Sequence, residues 1–237
     1  MDAANYEPAF VRSLFDEMAQ TYGIVNLISS FGFAARWRKQ CIRRIAIRPG
    51  STVVDLMTGM AELCPDLASR VGGSGAIQAI DLSPEMCRRA RQQVHRCRCP
   101  VEIIEGDVLR SDLGTASADI VVSSFGLKTF SARQMGHLAE QIVRILKPGG
   151  RFSLLEISVP PNRWLRWPYM FYVRRVIPFI GRAFLGNPEN YRMLGVYTEA
   201  FGNCATMKEE CARVGLVAEE KSYFFGCATG VFGHRPA

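Results

Sequence analysis

Two short stretches of this chain carry side chains suited to holding a nucleoside. Residues 52–63, TVVDLMTGMAEL, form an apolar run that meets a turn at Gly59. Residues 79–86, AIDLSPEM, end a second apolar run in Asp81, just before Ser83-Pro84. An acid after a second strand can accept hydrogen bonds from both ribose hydroxyls, and a turn of small residues lets backbone approach the ligand closely. Asp107, after Gly106, is placed to accept from an adenine amine while Val108 donates its backbone N–H to the ring. Each has a plainer role when read alone: Gly59 a tight turn, Asp81 a helix N-terminal acid, Asp107 a cap on the next turn. Their order along the chain, followed by Lys147-Pro148-Gly149-Gly150, favours one shared ligand.

The turn disfavours a dinucleotide. A pyrophosphate wants Gly-x-Gly-x-x-Gly at a helix N-terminus. Here the turn is Thr58-Gly59-Met60-Ala61-Glu62, with one glycine and an acid that would repel a phosphate. A cationic, phosphate-free ligand fits better, and S-adenosylmethionine is one: a sulfonium, an amino acid and an adenosine. Ser124 and Phe125, at the end of another apolar run, would lie beside the sulfonium.

Positioning these residues requires strands that share one carboxyl edge. The pattern predicts strands at 52–57, 76–80, 101–105, 119–125 and 151–156, with helices after the first two and over 132–146. Residues 119–125 are almost continuously apolar, as in a strand covered on both faces. The alternation predicts an α/β fold with a doubly wound, mostly parallel sheet of seven strands, a Rossmann-like arrangement. Residues 1–48 read as N-terminal helices, over 8–30 and 34–45. The rhythm breaks at Ser158, and 158–205 read as a helical insertion before a last helix (207–214) and two strands (217–225, 227–233). The insertion interleaves Trp164, Trp167, Tyr169, Phe171, Tyr172, Phe179 and Phe184 with Arg163, Arg166, Arg174, Arg175 and Arg182. The whole is expected to be a single domain over 1–237.

At 237 residues, 48% hydrophobic and 22% charged, the composition is that of a soluble globular chain. A net charge of +7 admits nucleic acid or an anionic surface as partner, but no RNA-recognition or zinc pattern accompanies it. The eight cysteines are scattered and read as small buried hydrophobes in a reducing compartment, with no metal site. The N-terminal residues lack a signal-peptide pattern and no apolar run reaches about 18 residues, so a cytoplasmic location is expected.

The chain resembles class I S-adenosylmethionine-dependent methyltransferases, and within them the C-methyltransferases of ubiquinone and menaquinone biosynthesis. The resemblance runs from about Phe15 to the C-terminus. It rests on FDEMAQTYGIVNLISSFGFAARW (15–37), VVDLMTGMAEL, AIDLSPEM, SSFGLKTF (123–130), RILKPGGRFSLLEIS (144–158) and NPENYRML (187–194). Tyr22, Asn26, Ser30, Gly32 and Trp37 are in register with the family's N-terminal signature. It implies cofactor contacts from Asp55, Thr58, Gly59, Met60, Asp81, Leu82, Met86, Asp107, Val108, Ser124 and Phe125. The family's Phe-Gly-Leu/Ile-Arg-Asn is here Phe125-Gly126-Leu127-Lys128-Thr129. Arginine to lysine loses a planar fork beside the acceptor, which opens the door to an aromatic or lipophilic acceptor other than a quinone precursor.

Methyl transfer is a direct displacement, so the protein aligns reactants and excludes water. His95, His137 and His234 read as surface or structural groups. By the resemblance Tyr22, Lys128, Tyr191 and Asn26 are the candidate catalytic residues. Lys128 either stabilises a phenolate or is a solvated cation; Asn26 either orients an acceptor hydroxyl or caps a turn. The aromatic–basic insertion is expected to cover the acceptor, and its arginines to rest on an anionic bilayer surface or simply to face solvent. A homo-oligomer is compatible with the chain. Rival readings are an O- or N-methyltransferase of a specialised metabolite, an NAD-dependent oxidoreductase, a nucleic-acid methyltransferase and a cofactor-binding relative repurposed for another reaction.

Overall fold

The computed structural model describes residues 3–184 and 186–237. β1 (Thr52–Leu56), β2 (Ala76–Asp81), β3 (Val101–Glu105), β4 (Ala118–Ser124) and β5 (Leu146–Ile157) run parallel; β6 (Val217–Tyr223) and β7 (Ala228–His234) close the sheet, with β7 antiparallel to both its neighbours. The order β3-β2-β1-β4-β5-β7-β6 makes a seven-stranded sheet. The chain winds outward from β1 in one direction and from β4 in the other. The crevice at their carboxyl ends is therefore the switch point at which such sheets bind ligands.

Helices cover both faces. α3 (Cys64–Val71) and α4 (Pro84–Val94) pack one side; α5 (Ala132–Ile145) and α9 (Ala205–Arg213) pack the other. α5 shows why these segments are helical: Met135, Leu138, Ala139, Ile142 and Ile145 recur at helical spacing and are buried, and Ser131 with Gln134 forms a capping box. Truncating one such buried isoleucine would cost about 2–5 kcal/mol. α1 (Pro8–Ser29) and α2 (Phe33–Ile42) precede the sheet.

The insertion is helical, as expected: α6 (Arg163–Phe171), a wide turn at Tyr172–Val176, α7 (Ile177–Ala183) and α8 (Pro188–Phe201). In the wide turn the Ile177 N–H reaches back five residues to the Tyr172 carbonyl. Pro178, which cannot donate and crowds the preceding turn, accounts for this π-type widening. Leu185 lies outside the described residues.

The start of β5 differs from expectation. β5 begins at Leu146 rather than Arg151, because Lys147-Pro148-Gly149-Gly150 forms an irregularity within the strand and not a break. Its backbone finds partners at the C-terminus: Gly149 N–H donates to the Arg235 carbonyl and Arg235 N–H to Gly150. α3 starts at Cys64, after turns closed by Ala61 N–H to Thr58 and Cys64 N–H to Ala61, with Pro65 in its first turn.

Candidate active site

Two cavities open at the carboxyl edge of the sheet, and Tyr22 and Phe125 line both. The first is walled by the loops after β1, β2, β3 and β4 and roofed by the N-terminal half of α1, through Val11 and Phe15. The second lies between the C-terminal half of α1, α2 and the insertion.

Strained backbone shapes the first cavity. Met57, Gly59 and Ala61 after β1, and Phe125 after β4, all have left-handed φ, between 52° and 67°. For the residues with a Cβ this costs on the order of 1–2 kcal/mol each, and such strain concentrates at functional sites. At Gly126 a Cβ would lie 2.6 Å from that of Met57, so only glycine lets the two loops meet. The turn aims the Gly59 N–H at Asp81 Oδ2, 2.7 Å away, while Asp81 Oδ1 accepts from Ser83 N–H at 3.0 Å. Ser83, not Asp81, caps α4, through its Oγ on Met86 N–H. Desolvation pushes the Asp81 carboxyl up to about 6, against the pull of its two backbone donors. Asp107 uses one oxygen to cap the turn that follows, accepting from Leu109 N–H at 2.9 Å; the other has no hydrogen bond among the described residues.

Thr58, Gly59, Asp81, Leu82, Met86, Asp107, Val108, Ser124 and Phe125 line this cavity. Asp55 and Met60 do not. Asp55, 1% exposed, sits behind the turn and accepts from Thr58 Oγ1 at 2.6 Å. Its Oδ1 has no partner, and burial pushes the carboxyl up to about 7. Met60 packs with Ala19 and Met86. Both hold the cavity wall from behind.

The Glu62 carboxylate also lines the cavity, but it is not a bare negative charge. Arg38 donates to Glu62 Oε1 at 2.9 Å, and Met60 N–H to Oε2 at 3.2 Å. The Arg38 guanidinium also stands 5.0 Å over the Phe125 ring and reaches Ser124 Oγ at 3.4 Å. Sequence reading missed Arg38. Its signal was an arginine directly after Trp37, in a segment otherwise read only as a signature.

The residue chemistry fits S-adenosylmethionine: carboxylates of Asp81 and Asp107 for the nucleoside, an acid–arginine pair for an amino acid, and aromatic faces of Tyr22 and Phe125 for a sulfonium. Among the described residues, no glycine-rich helix N-terminus lines this cavity to cradle a pyrophosphate.

The second cavity brings together all four candidate catalytic residues, Tyr22, Asn26, Lys128 and Tyr191. Its remaining wall is mostly aromatic, with Phe33, Trp37, Tyr169 and Tyr172. Lys128 is not solvated: it is 3% exposed. Its Nζ donates to the Phe125 carbonyl at 2.6 Å and to Glu156 Oε1 at 3.0 Å, and its backbone N–H donates to Glu156 Oε2. Glu156 is the other residue the sequence reading passed over; a lone acid closing an apolar strand was its signal. Asn26 lies inside α1 and caps no turn with its side chain. Tyr191 shares a 2.8 Å hydrogen bond with Thr21 Oγ1. Burial, reinforced by Glu62, holds the Tyr22 hydroxyl well above its ordinary value, and burial raises Tyr191 as well. Both are neutral phenols at physiological pH and can donate hydrogen bonds. His95, His137 and His234 are exposed and line neither cavity. No cluster of metal-ligating side chains occurs among the described residues.

The model of the ubiE/COQ5 methyltransferase family matches residues 2–235. The chain is 30% identical over 223 residues to the demethylmenaquinone methyltransferase of Thermus thermophilus, spanning 94% of this chain and 100% of that one. It is 28% identical over 229 residues to the enzyme of the same name from Desulfitobacterium hafniense, spanning 96% and 90%. Among solved structures, its fold is similar to a SAM-dependent methyltransferase from Aquifex aeolicus (TM-score 0.58, 19% identity, 83% of this chain and 88% of that one). It is also similar in fold to a methyltransferase from Haloferax volcanii solved with its Trm112 activator (TM-score 0.66, 20% identity, 94% and 98%). With a family match along almost its whole length and a class I sheet carrying a nucleoside-type crevice, this chain belongs to the ubiE/COQ5 methyltransferase family and is an S-adenosylmethionine-dependent methyltransferase.

Proposed function

We propose that the chain methylates a small aromatic or lipophilic acceptor, of quinone-precursor type, held in the second cavity while S-adenosylmethionine occupies the first. The observation that carries this reading is the shared wall: Tyr22 and Phe125 border both cavities, so a group at the end of one faces the other across their rings.

Asp81 takes the ribose hydroxyls, the free oxygen of Asp107 takes the adenine amine, and Glu62 and Arg38 take the ammonium and carboxylate of the amino-acid end. When bound, the donor supplies an electrophilic methyl and leaves as S-adenosylhomocysteine. The chain's own residues orient and activate the acceptor. A phenol-like acceptor gains nucleophilicity as its hydroxyl proton passes to solvent water, and the proton displaced from carbon on C-methylation leaves the same way. Lys128 favours the resulting oxyanion, because two of the three Nζ hydrogens are committed to Phe125 and Glu156 and the third is available toward the cavity. Tyr22, as a neutral phenol, holds the acceptor by donation, the Tyr191 oxygen, whose own hydrogen goes to Thr21, can accept from it, and the Asn26 amide adds a further polar contact. The aromatic wall keeps water from competing for the methyl.

A second reading, methylation at oxygen or nitrogen of a specialised metabolite, is favoured by one feature: Lys128-Thr129 replaces the family's Arg-Asn, and Thr129 Oγ1 is turned onto the Gly126 carbonyl at 2.8 Å. Incubation with methyl-labelled S-adenosylmethionine and a panel of hydroquinones, catechols and aromatic amines tests both. C-methylated hydroquinone supports the first reading, O- or N-methylated product the second. Absence of transfer to any member, with cofactor bound, removes both.

A further inference from the structure

The mouth of the second cavity is ringed by aromatic side chains turned outward. Phe31 and Phe224 line the cavity, yet are 78% and 49% exposed, so they stand at its rim. Three segments that contribute to its lining also carry exposed apolar side chains: α1 through Asn26, α6 through Tyr169 and the β6–β7 loop through Phe224. On α1, Ile24, Leu27 and Ile28 lie at helical spacing on the solvent side, and Phe31 follows in the turn after the helix. On α6, Trp164, Trp167 and Phe171 do the same, 77%, 74% and 53% exposed. The loop between β6 and β7 adds Phe224 and Phe225, the latter 76% exposed. Ring contacts join the segments to the rim: Phe31 to Tyr172 at 6.1 Å and Phe33 to Phe224 at 4.7 Å.

The backbone works to present these rings. Phe31, Phe224 and Phe225 have φ of 48°, 42° and 55°, a left-handed conformation that phenylalanine rarely adopts. Exposed rings on strained tips gain nothing from water; the strain makes sense if another medium receives them.

The charge pattern says which medium. Residues 163–184 contain arginines 163, 166, 174, 175 and 182 and no acid, on a chain of net charge +7. Tryptophans beside arginines suit the headgroup layer of an anionic bilayer, with rings at the acyl boundary and guanidinium groups on phosphates. A soluble partner would require a complementary apolar surface, whereas a bilayer needs only rings and positive charge. No helix of the described residues is long and apolar enough to cross a membrane, so contact is at the surface.

We propose that this rim docks on an anionic phospholipid surface and that a lipophilic acceptor passes from the bilayer directly into the second cavity. The delivery clause rests on the function proposed above; the docking does not.

The three tryptophans make the test direct. Trp37 is buried, whereas Trp164 and Trp167 are exposed, so a change in intrinsic fluorescence reports on α6. The intact protein is mixed at low salt with vesicles of phosphatidylglycerol and phosphatidylcholine (3:1) and with phosphatidylcholine alone. The expected result is pelleting with the anionic vesicles, a blue shift and quenching by brominated acyl chains, all weakened by salt. Trp164→Ser with Trp167→Ser, and separately Arg163→Glu with Arg175→Glu, should each lower the partition coefficient on the order of tenfold. Circular dichroism and cofactor titration should be unchanged. Failure to pelt with anionic vesicles, equal pelting by the variants, or a concentration-dependent dimer that buries the same tryptophans overturns the docking. Because vesicle binding needs neither donor nor acceptor, a protein that docks but transfers no methyl overturns the proposed function alone.

Discussion

Lys128 and Glu156 form an ion pair inside the protein, Nζ to Oε1 at 3.0 Å, with side chains 3% and 0% exposed. Glu156 also accepts the backbone N–H of Lys128 and that of Ile157. The pair thus ties the short turn after β4 to the end of β5, and it fixes Phe125 through the hydrogen bond from Nζ to its carbonyl. Lys128→Met leaves the carboxylate buried and unpaired, and should cost about 3–5 kcal/mol. Lys128→Met combined with Glu156→Gln should recover part of that loss in a denaturant melt without recovering turnover. Turnover equal to the parent in the stably folded double variant would show that Lys128 is structural only.

Asp81→Ala should abolish detectable S-adenosylmethionine binding by titration calorimetry while the fold persists. It also strands two backbone donors, Gly59 and Ser83, at a cost of about 1–3 kcal/mol in stability. Asp81→Asn keeps one acceptor oxygen and should lose less affinity than the alanine variant. Unchanged heats in Asp81→Ala would remove the cofactor assignment for the first cavity.

Arg38→Ala frees Glu62 and removes the cation over Phe125. Cofactor affinity should fall roughly tenfold or more, as for loss of a charge-assisted hydrogen bond. Arg38→Lys should restore only part of it, since an ammonium cannot reach Glu62, Ser124 and the ring at once. Adenosine affinity, measured in the same variants, should stay near that of the parent.

Two buried carboxyls give the unliganded protein a pH signature. Asp55 and Asp81 stand at about 7 and about 6, each against an ordinary value of 3.8, with burial as the leading cause. Between those values the folded chain holds protons that the unfolded chain has released. These groups therefore lower stability as pH rises from 3.8 towards about 7, and the effect levels off above. Thermal melts across that window should show the fall, and Asp55→Asn should flatten much of it. Cofactor affinity should move the opposite way, rising through about pH 6 as Asp81 becomes the carboxylate that accepts ribose hydroxyls.

Most of the first cavity's wall is legible in the chain because short apolar strands followed by turn residues announce it locally. Asp81, Asp107, Ser124 and Phe125 each close such a strand, and all line the first cavity. Asp55 and Met60 carry the same local signature but face inward, since alternation along a strand and the twist of a strained turn decide direction and neither shows in residue type alone. The second cavity's wall is legible only through likeness: Tyr22, Asn26, Ser30 and Trp37 lie far from the strands in sequence yet line it together. Lys128–Glu156 and Arg38–Glu62 were hidden for a different reason. Each joins residues that meet only when separate segments converge, and a lone charge in sequence does not reveal its counterion.

α1 contributes to two chambers at once, with Phe15 in the first, Asn26 in the second and Tyr22 between them. It is one uninterrupted helix of 22 residues, so a tilt of the whole helix would reshape both chambers together. With donor and acceptor in these chambers as proposed, a ligand that shifts the helix from one chamber would alter affinity in the other, and thermodynamics requires that influence to be equal in both directions.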